Sequence, residues 1–290
     1  MSALEELLKD VSRDKEKLFI GKLKEAKFLE GDPSLAFIDV PEGMDEGLVQ
    51  KLAQSFRLAL LTEVPGWAAV SMRLQYGEAS EKENAECLWR DMPFKYGYLP
   101  GIVENVRDIA ENLRKGIFRL PGGKSEETFD AECSFDDKVD SFYKEILLGE
   151  WFEEEEGKWV LNPALTIFTL KDNAGRVWLE FVIAEGRGYR TASEVERRFR
   201  GNTAGMGEGQ GLSKESSEAG SAPNGRLYLD ADFNPVRKVG FRIDMAEGRI
   251  EYTIDTLPNR TPKEAYEIAV TRFEEISDSI KRSVSKGVLS

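Results

Sequence analysis

Apolar positions recur along this chain at two different spacings. Leu48, Leu52, Phe56, Ala59 and Leu60 follow one another at intervals of three, four and one, which puts them on one face of a helix over residues 46–62. Asp45 stands where such a helix would be capped, and Pro65-Gly66 closes it. Ala265, Ala269, Phe273, Ile276 and Ile280 form a second stripe, opened by Thr261-Pro-Lys-Glu264, a capping box with proline at the first helical position. That pattern predicts a helix over 262–283. Leu4, Leu7, Leu8 and Val11 predict an amphipathic helix over residues 1–20. Ile102, Val106, Ile109 and Leu113 predict another, opened by Pro100-Gly101.

Between these stripes the spacing shortens to that of strands. Leu35–Val40, residues 67–76, Leu165–Leu170, Val177–Ile183, Arg226–Leu229, Lys238–Ile243 and Ile250–Ile254 read as extended segments. Asp172-Asn-Ala-Gly175 supplies turn chemistry, so Leu165–Leu170 and Val177–Ile183 are expected to form a hairpin. Residues 121–158, with Glu153 to Glu156, read as an acidic, loop-rich surface. Residues 201–225 are rich in Gly and Ser and nearly free of large apolar groups, which predicts a mobile loop. Their glycines lack the flanking strand, helix and Lys-Ser/Thr of a phosphate cradle.

Composition narrows the chemistry. The chain has 290 residues, 41% of them hydrophobic, enough for one large or two ordinary domains. It contains no histidine, which removes Ser-His-Asp and Cys-His catalysis and the commonest metal ligand. Cys87 and Cys133 are too few for a disulfide framework or a zinc cluster. No apolar run reaches the roughly 20 residues of a membrane helix, and the N-terminus lacks the features of a signal or transit peptide. A soluble intracellular protein is expected. A net charge of −13 argues against a broad nucleic-acid interface and favours partners with basic surfaces. The acidic run at Glu153 to Glu156 lacks the spacing of paired acid–base carboxylates.

Six segments, in order, carry a resemblance. Phe56-Arg-Leu-Ala-Leu-Leu-Thr-Glu-Val-Pro-Gly66 is similar to a pattern Arg-Arg-x-Leu-Leu-Ser-Ser-x-Pro-Gly, and Leu99-Pro-Gly-Ile-Val-Glu-Asn-Val106 to Ile-Pro-Gly-Val-x-Glu-Asp-Val. Ala164–Leu170 stands where that pattern has Asp-Leu-His-Ile-Ala-Thr-Leu. Glu185-Gly-Arg-Gly-Tyr189 matches Arg-Gly-Arg-Gly-Tyr in four of five positions. Leu229-Asp-Ala-Asp-Phe-Asn-Pro-Val-Arg237 is similar to Val-Asp-Ala-x-Phe-Ser-Pro-Val-Arg, and Thr261–Ala265 to Thr-Pro-Glu-Glu-Ala. These are the patterns of the N-terminal assembly domain of bacterial and plastid RNA polymerase α subunits, which the chain resembles over most of its length beyond residue 45. It departs at Leu58, where the family has the second of two adjacent arginines, and in longer stretches at 121–160 and 201–225. The family's C-terminal DNA-binding domain is expected to be absent, the chain stopping at Ser290.

The resemblance implies an α+β fold in two parts: a dimerisation part from residues 1–66 and 238–290, with a β-rich part, 67–237, inserted. It implies a scaffold with no active site of its own, pairing with an α-type dimer partner and docking the β and β′ polymerase subunits. Magnesium would sit in the partner catalytic subunit, with no cofactor on this chain, little direct nucleic-acid contact and no membrane. The cytoplasm, near the nucleoid, or the plastid stroma follows as location. The dimer-interface candidates are Phe56, Leu60, Phe273, Ile276 and Ile280. Arg57 is the candidate toward β, as an interface residue or a solvated helix arginine. Arg114, Asp230, Phe233, Pro235 and Val236 are candidates toward β or β′. Phe233 is either an anchor beside a rigid turn or a core residue. The alternative is a free-standing dimeric regulator derived from α.

Overall fold

The computed structural model describes residues 3–8, 11–77, 89–91, 97–121, 126–133, 142–152, 159–171, 176–203 and 226–285. Cys87, Glu153 to Glu156, the 172–175 turn and all but the first three residues of 201–225 lie outside them.

The chain opens with α1 (Ala3–Leu8) and α2 (Arg13–Lys24), followed by β1 (Lys27–Leu29), β2 (Asp32–Asp39), α3 (Glu46–Thr62), β3 (Gly66–Gly77) and β4 (Trp89–Asp91). Next come α4 (Val106–Arg114), β5 (Glu126–Cys133), β6 (Tyr143–Leu147), a 3-10 turn at Leu148–Trp151, β7 (Thr166–Lys171) and β8 (Arg176–Gly186). The remainder is β9 (Tyr189–Arg190), α5 (Ala192–Thr203), β10 (Arg226–Tyr228), β11 (Ala231–Asp232), β12 (Val236–Asp244), β13 (Arg249–Thr256) and α6 (Pro262–Ser285). The class is α+β with antiparallel sheets.

These elements form two compact units, Met1–Gly66 with Asn234–Ser290, and Trp67–Phe233. In the first unit the two ends of the chain share one sheet, ordered β1-β2-β13-β12. Residues 249–253 of β13 lie opposite 39–35 of β2. The helices α3 and α6 touch each other, α3 lies along β12, and α6 touches β13 and β2. Phe56 stands at the centre of this core, edge-on to Tyr252, Tyr266 and Phe273 at centroid distances of 5.1–5.7 Å. The Tyr252 hydroxyl, buried with that ring, donates to the Ala53 carbonyl at 3.1 Å.

The helix ends follow local chemistry. Asp45 Oδ1 accepts from the Leu48 amide at 3.0 Å. At α6 both halves of the capping box form: the Glu264 amide donates to Thr261 Oγ1 at 3.2 Å, and the Thr261 amide to Glu264 Oε2 at 3.1 Å. Residues 1–20 depart from the single helix their pattern predicts. Helix α1 ends at Leu8 and α2 begins after Ser12.

The second unit is built on a sheet ordered β10-β3-β8-β5, with β4 on β3. In β8, Val177, Leu179, Phe181 and Ile183 face the larger core, while Val182 and Ala184 face a smaller cluster with Val195, Ala231 and Phe233. Burial on both faces explains the near-continuous apolar run of β8. It also undoes the expected hairpin. β7 pairs with β6 and β8 with β3 and β5, so among the described residues the two do not neighbour each other in a sheet. The partners β5 and β6 come from 121–158, expected to be loop. Helix α4 begins later than expected, at Val106, because Asn105 caps it through the Asp108 amide at 2.9 Å and Ile102 instead bridges Leu170. Strand β12 begins at Val236, opposite Thr256, so Pro235 and Val236 belong to the first unit rather than to the inserted stretch 67–237.

Candidate interaction surface

The six sequence segments meet one another in pairs. Gly101 adopts a φ of +75°, within a turn that runs beside β7. There Val103 N donates to the Thr169 carbonyl at 3.0 Å and Lys171 N to the Gly101 carbonyl at 2.8 Å. The Glu104 carboxylate accepts from the Thr169 amide and hydroxyl at 2.7 and 3.0 Å. The segment at 99–106 is thus fastened to the segment at 164–170. Likewise Phe56 packs on Tyr266 and Phe273 of α6, and Arg260, just before the capping box, donates to the Pro65 carbonyl at 3.4 Å.

The third pairing forms the surface of interest. β9 and β11 pair with Arg190 opposite Ala231 and Tyr189 opposite Asp232. Gly188 has a φ of +62°, and its carbonyl accepts from the Phe233 amide at 3.1 Å. The Phe233 ring then lies over Gly186, 2.7 Å from where a β-carbon would be. Gly186 is a glycine because the ring occupies the space of any side chain, and Gly188 because the turn needs a left-handed backbone. Asp230 Oδ1 accepts from the Ala192 amide at 2.7 Å at the start of α5. A second capping box starts that helix: the Thr191 amide and hydroxyl donate to Glu194 Oε2 at 2.9 and 3.0 Å. The Thr191 amide, then its hydroxyl, hold the Glu194 carboxyl below the usual carboxylate range.

Tyr189 is 56% exposed. Its hydroxyl is pushed above the ordinary tyrosine range, first by partial desolvation and then by a hydrogen bond to Asp230, with Arg114 close enough to oppose the shift. The structure therefore gathers Arg114, Tyr189 and Asp230, from α4, β9 and the approach to β11. Arg114 spends its charge on its own helix, with both Glu111 carboxylate oxygens 3.0 Å from Nη1. Beside this group Arg190, Glu194, Val195, Arg198, Phe199 and Phe233 line a shallow cleft of about 210 Å³. Helix α5 was missed from the sequence, although Thr191-Ala-Ser-Glu194 is the same capping-box signal that marks α6.

Other candidates are placed differently. Phe56, Leu60, Phe273 and Ile280 are at most 3% exposed and, with the half-buried Ile276, fill the core of their own unit. In the single chain these side chains are covered, helices α1 and α2 joining the same cluster. Arg57 is half-buried, its Nε donating to the Val239 carbonyl of β12 at 2.9 Å, so it ties α3 to its own sheet. Phe233 is a core residue, 2% exposed. Pro235 and Val236 are buried in the first unit, where the Pro235 carbonyl accepts from Leu257 N at 2.8 Å. Asp230 and Arg114 keep accessible surface. Leu58, at the family's arginine position, packs against the core of the first unit.

Comparison with known proteins yields one consistent result. The chain is 24% identical to the DNA-directed RNA polymerase subunit alpha of Bifidobacterium adolescentis, across 81% of its own length and 59% of the relative's. It is 25% identical to that of Saccharopolyspora erythraea across 78% and 52%, and 24% identical to that of Carboxydothermus hydrogenoformans across 71% and 50%. The chain is RNA polymerase α-subunit-like. It spans about half the length of the curated relatives it matches. No family model matches it.

Burial pushes the Cys133 thiol up to about 12, far from a reactive thiolate. Among the described residues no group of three or more Cys, Asp or Glu is placed to hold a metal ion, and no helix is long and apolar enough to cross a membrane.

Proposed function

We propose that this chain is a non-catalytic scaffold subunit of a multisubunit DNA-directed RNA polymerase. The observation that carries the reading is the similarity to curated α subunits across 71–81% of the chain, together with six family-like segments that fold against one another in pairs. In this reading the unit formed by both chain ends is the dimerisation part, and Trp67–Phe233 is the inserted part. Two copies join through α3 and α6 and present a platform to the β and β′ subunits. Magnesium chemistry belongs to a catalytic partner.

The docking surface in this reading centres on Tyr189, Asp230 and Arg114. Tyr189 offers an exposed aromatic ring of the kind that anchors interfaces. Phe233 supports that surface from within the core of the same unit, its ring against Gly186. Arg57 has one guanidinium edge committed to Val239, leaving its Nη groups for a partner carboxylate.

The test is recovery of the tagged chain from its native source in mild salt, with identification of what accompanies it. Two large subunits with one or two copies of this chain are expected. A dimer with no large partner at any ionic strength would replace the scaffold reading with a free-standing regulator.

A further inference from the structure

The first unit carries a third layer that the family-like segments do not include. Helix α1 touches both α3 and α6, and α2 touches α6 and β2. Leu4, Leu8, Val11, Phe19, Ile20 and Leu23 are buried and join the same cluster as the side chains of α3 and α6. Polar contacts are spread along α6. The Tyr266 hydroxyl donates to the Leu23 carbonyl at 3.0 Å, and Lys24 pairs with Glu274 at 2.7 Å. Arg13 stands 3.8 Å from Asp278, and Lys281 Nζ donates to the carbonyls of Leu8 at 2.9 Å and Val11 at 2.5 Å. The end of α2 meets Tyr266 and Glu274, its start meets Asp278 and Lys281, and so α2 crosses α6 as a strap.

We infer that α1–α2 is an intramolecular cover over the face of α3 and α6 through which a second copy of this chain would associate, and that it must move aside for that association. The inference rests on the dimer reading above. Three features make the strap releasable rather than fixed. It joins the rest of the fold only at Glu25-Ala26, before the edge strand β1, so it can leave without breaking a ladder. Its helices, of 6 and 12 residues, are too short to persist without the surface they lie on. It also carries a misfit. Glu16 is 0% exposed, yet neither carboxylate oxygen has a hydrogen-bond partner, and the nearest cation, Lys281, stands 3.5 Å away. A carboxylate held dry with one imperfect partner regains its hydration when the strap lifts.

The cover makes self-association conditional. A copy whose binding face is open only part of the time shows an apparent affinity reduced by that fraction.

The experiment uses the full chain and two variants, Leu4→Ser/Leu8→Ser on the strap and Lys281→Met on α6. Hydrogen exchange over residues 11–24 reads release of the strap, and sedimentation velocity from 1 to about 100 µM reads self-association. Faster exchange over 11–24 together with a dimer dissociation constant at least about tenfold lower is the expected result. Faster exchange with unchanged or weaker association overturns the cover. So does slow exchange in both variants, since α1–α2 is then a fixed layer. If released variants associate no better while the tagged chain still recovers a second copy with two large subunits, the cover fails and the scaffold reading stands. If they associate more tightly and no large subunit is recovered, the cover stands and the polymerase reading fails.

Discussion

The two units differ in how their sheets are covered. The first concentrates its large buried side chains where two long helices meet one four-stranded sheet, and a single phenylalanine, Phe56, touches three other rings. The second spreads its core over several short strands and buries both faces of β8. Both cores have an aromatic hub, since Phe181 in the second meets Phe118, Phe129, Trp151 and Phe152, but the second has a further weak point where a ring lies against a glycine backbone. All five tryptophans, from Trp67 to Trp178, lie in the second unit. Tryptophan fluorescence therefore reads that unit, and the far-ultraviolet helix signal is weighted to the first.

The sharpest way to break the contrast is Phe56→Ala. It removes the hub and is expected to cost about 3–5 kcal/mol, seen as an earlier denaturant midpoint in the helix signal with a smaller change in fluorescence. Equal shifts in both signals would show that the first unit has no separate core.

Gly186→Val attacks the second unit at its close approach. The new side chain meets the Phe233 ring, and a loss of about 1–3 kcal/mol is expected, read by tryptophan fluorescence. Removing the collision with Gly186→Val/Phe233→Leu should restore part of the loss, whereas no recovery would mean that backbone geometry, not the ring, demands glycine there.

How much of this was legible in the sequence follows the same division. Helices α3 and α6 were readable because the stripe and the cap are local: Asp45 and Thr261 lie within three residues of the groups they satisfy. Strand β5 was not, because Glu127 shares a face with Phe129 and Cys133 while Asp130 and Glu132 take the other, and the acids hid the period of two. The local hydrogen bonding of Asn234 was legible, its Oδ1 accepting from Val236 N at 3.1 Å. Which unit owns Pro235 and Val236 was not, since that depends on Val236 facing Thr256. Phe56 and Phe273 were recognised as a helix stripe, but a stripe cannot say whether it faces its own sheet or a neighbour's. The cleft beside Tyr189 escaped because Val195 and Phe199 make too thin an apolar stripe to announce α5.

Smaller changes sharpen the comparison further. Tyr252→Phe keeps the ring in contact with Phe56 but removes the hydroxyl bonded to the Ala53 carbonyl. A loss of about 1 kcal/mol is expected in the helix signal by chemical denaturation. The two capping boxes give the finest test. Thr261→Ala and Thr191→Ala should each cost about 1 kcal/mol, the first seen in the helix signal and the second as faster hydrogen exchange at the start of α5. If Thr191→Ala also weakens recovery of large subunits while Thr261→Ala does not, the box at α5 shapes the docking surface rather than only the helix.

The sheet of the first unit has a consequence for synthesis on the ribosome. β2 leaves the exit tunnel early, but its partner β13 is encoded almost at the other end of the message. At roughly 5–20 residues per second the wait is on the order of 10–40 s. During that interval the apolar face of α3 has only the segments made before it, α1 and α2 with β1 and β2, to lie against, while the middle of the chain can already collapse around β3, β5 and β8. The N-terminal strap is thus available as a nascent-chain guard, shielding α3 until the last strands and helix arrive.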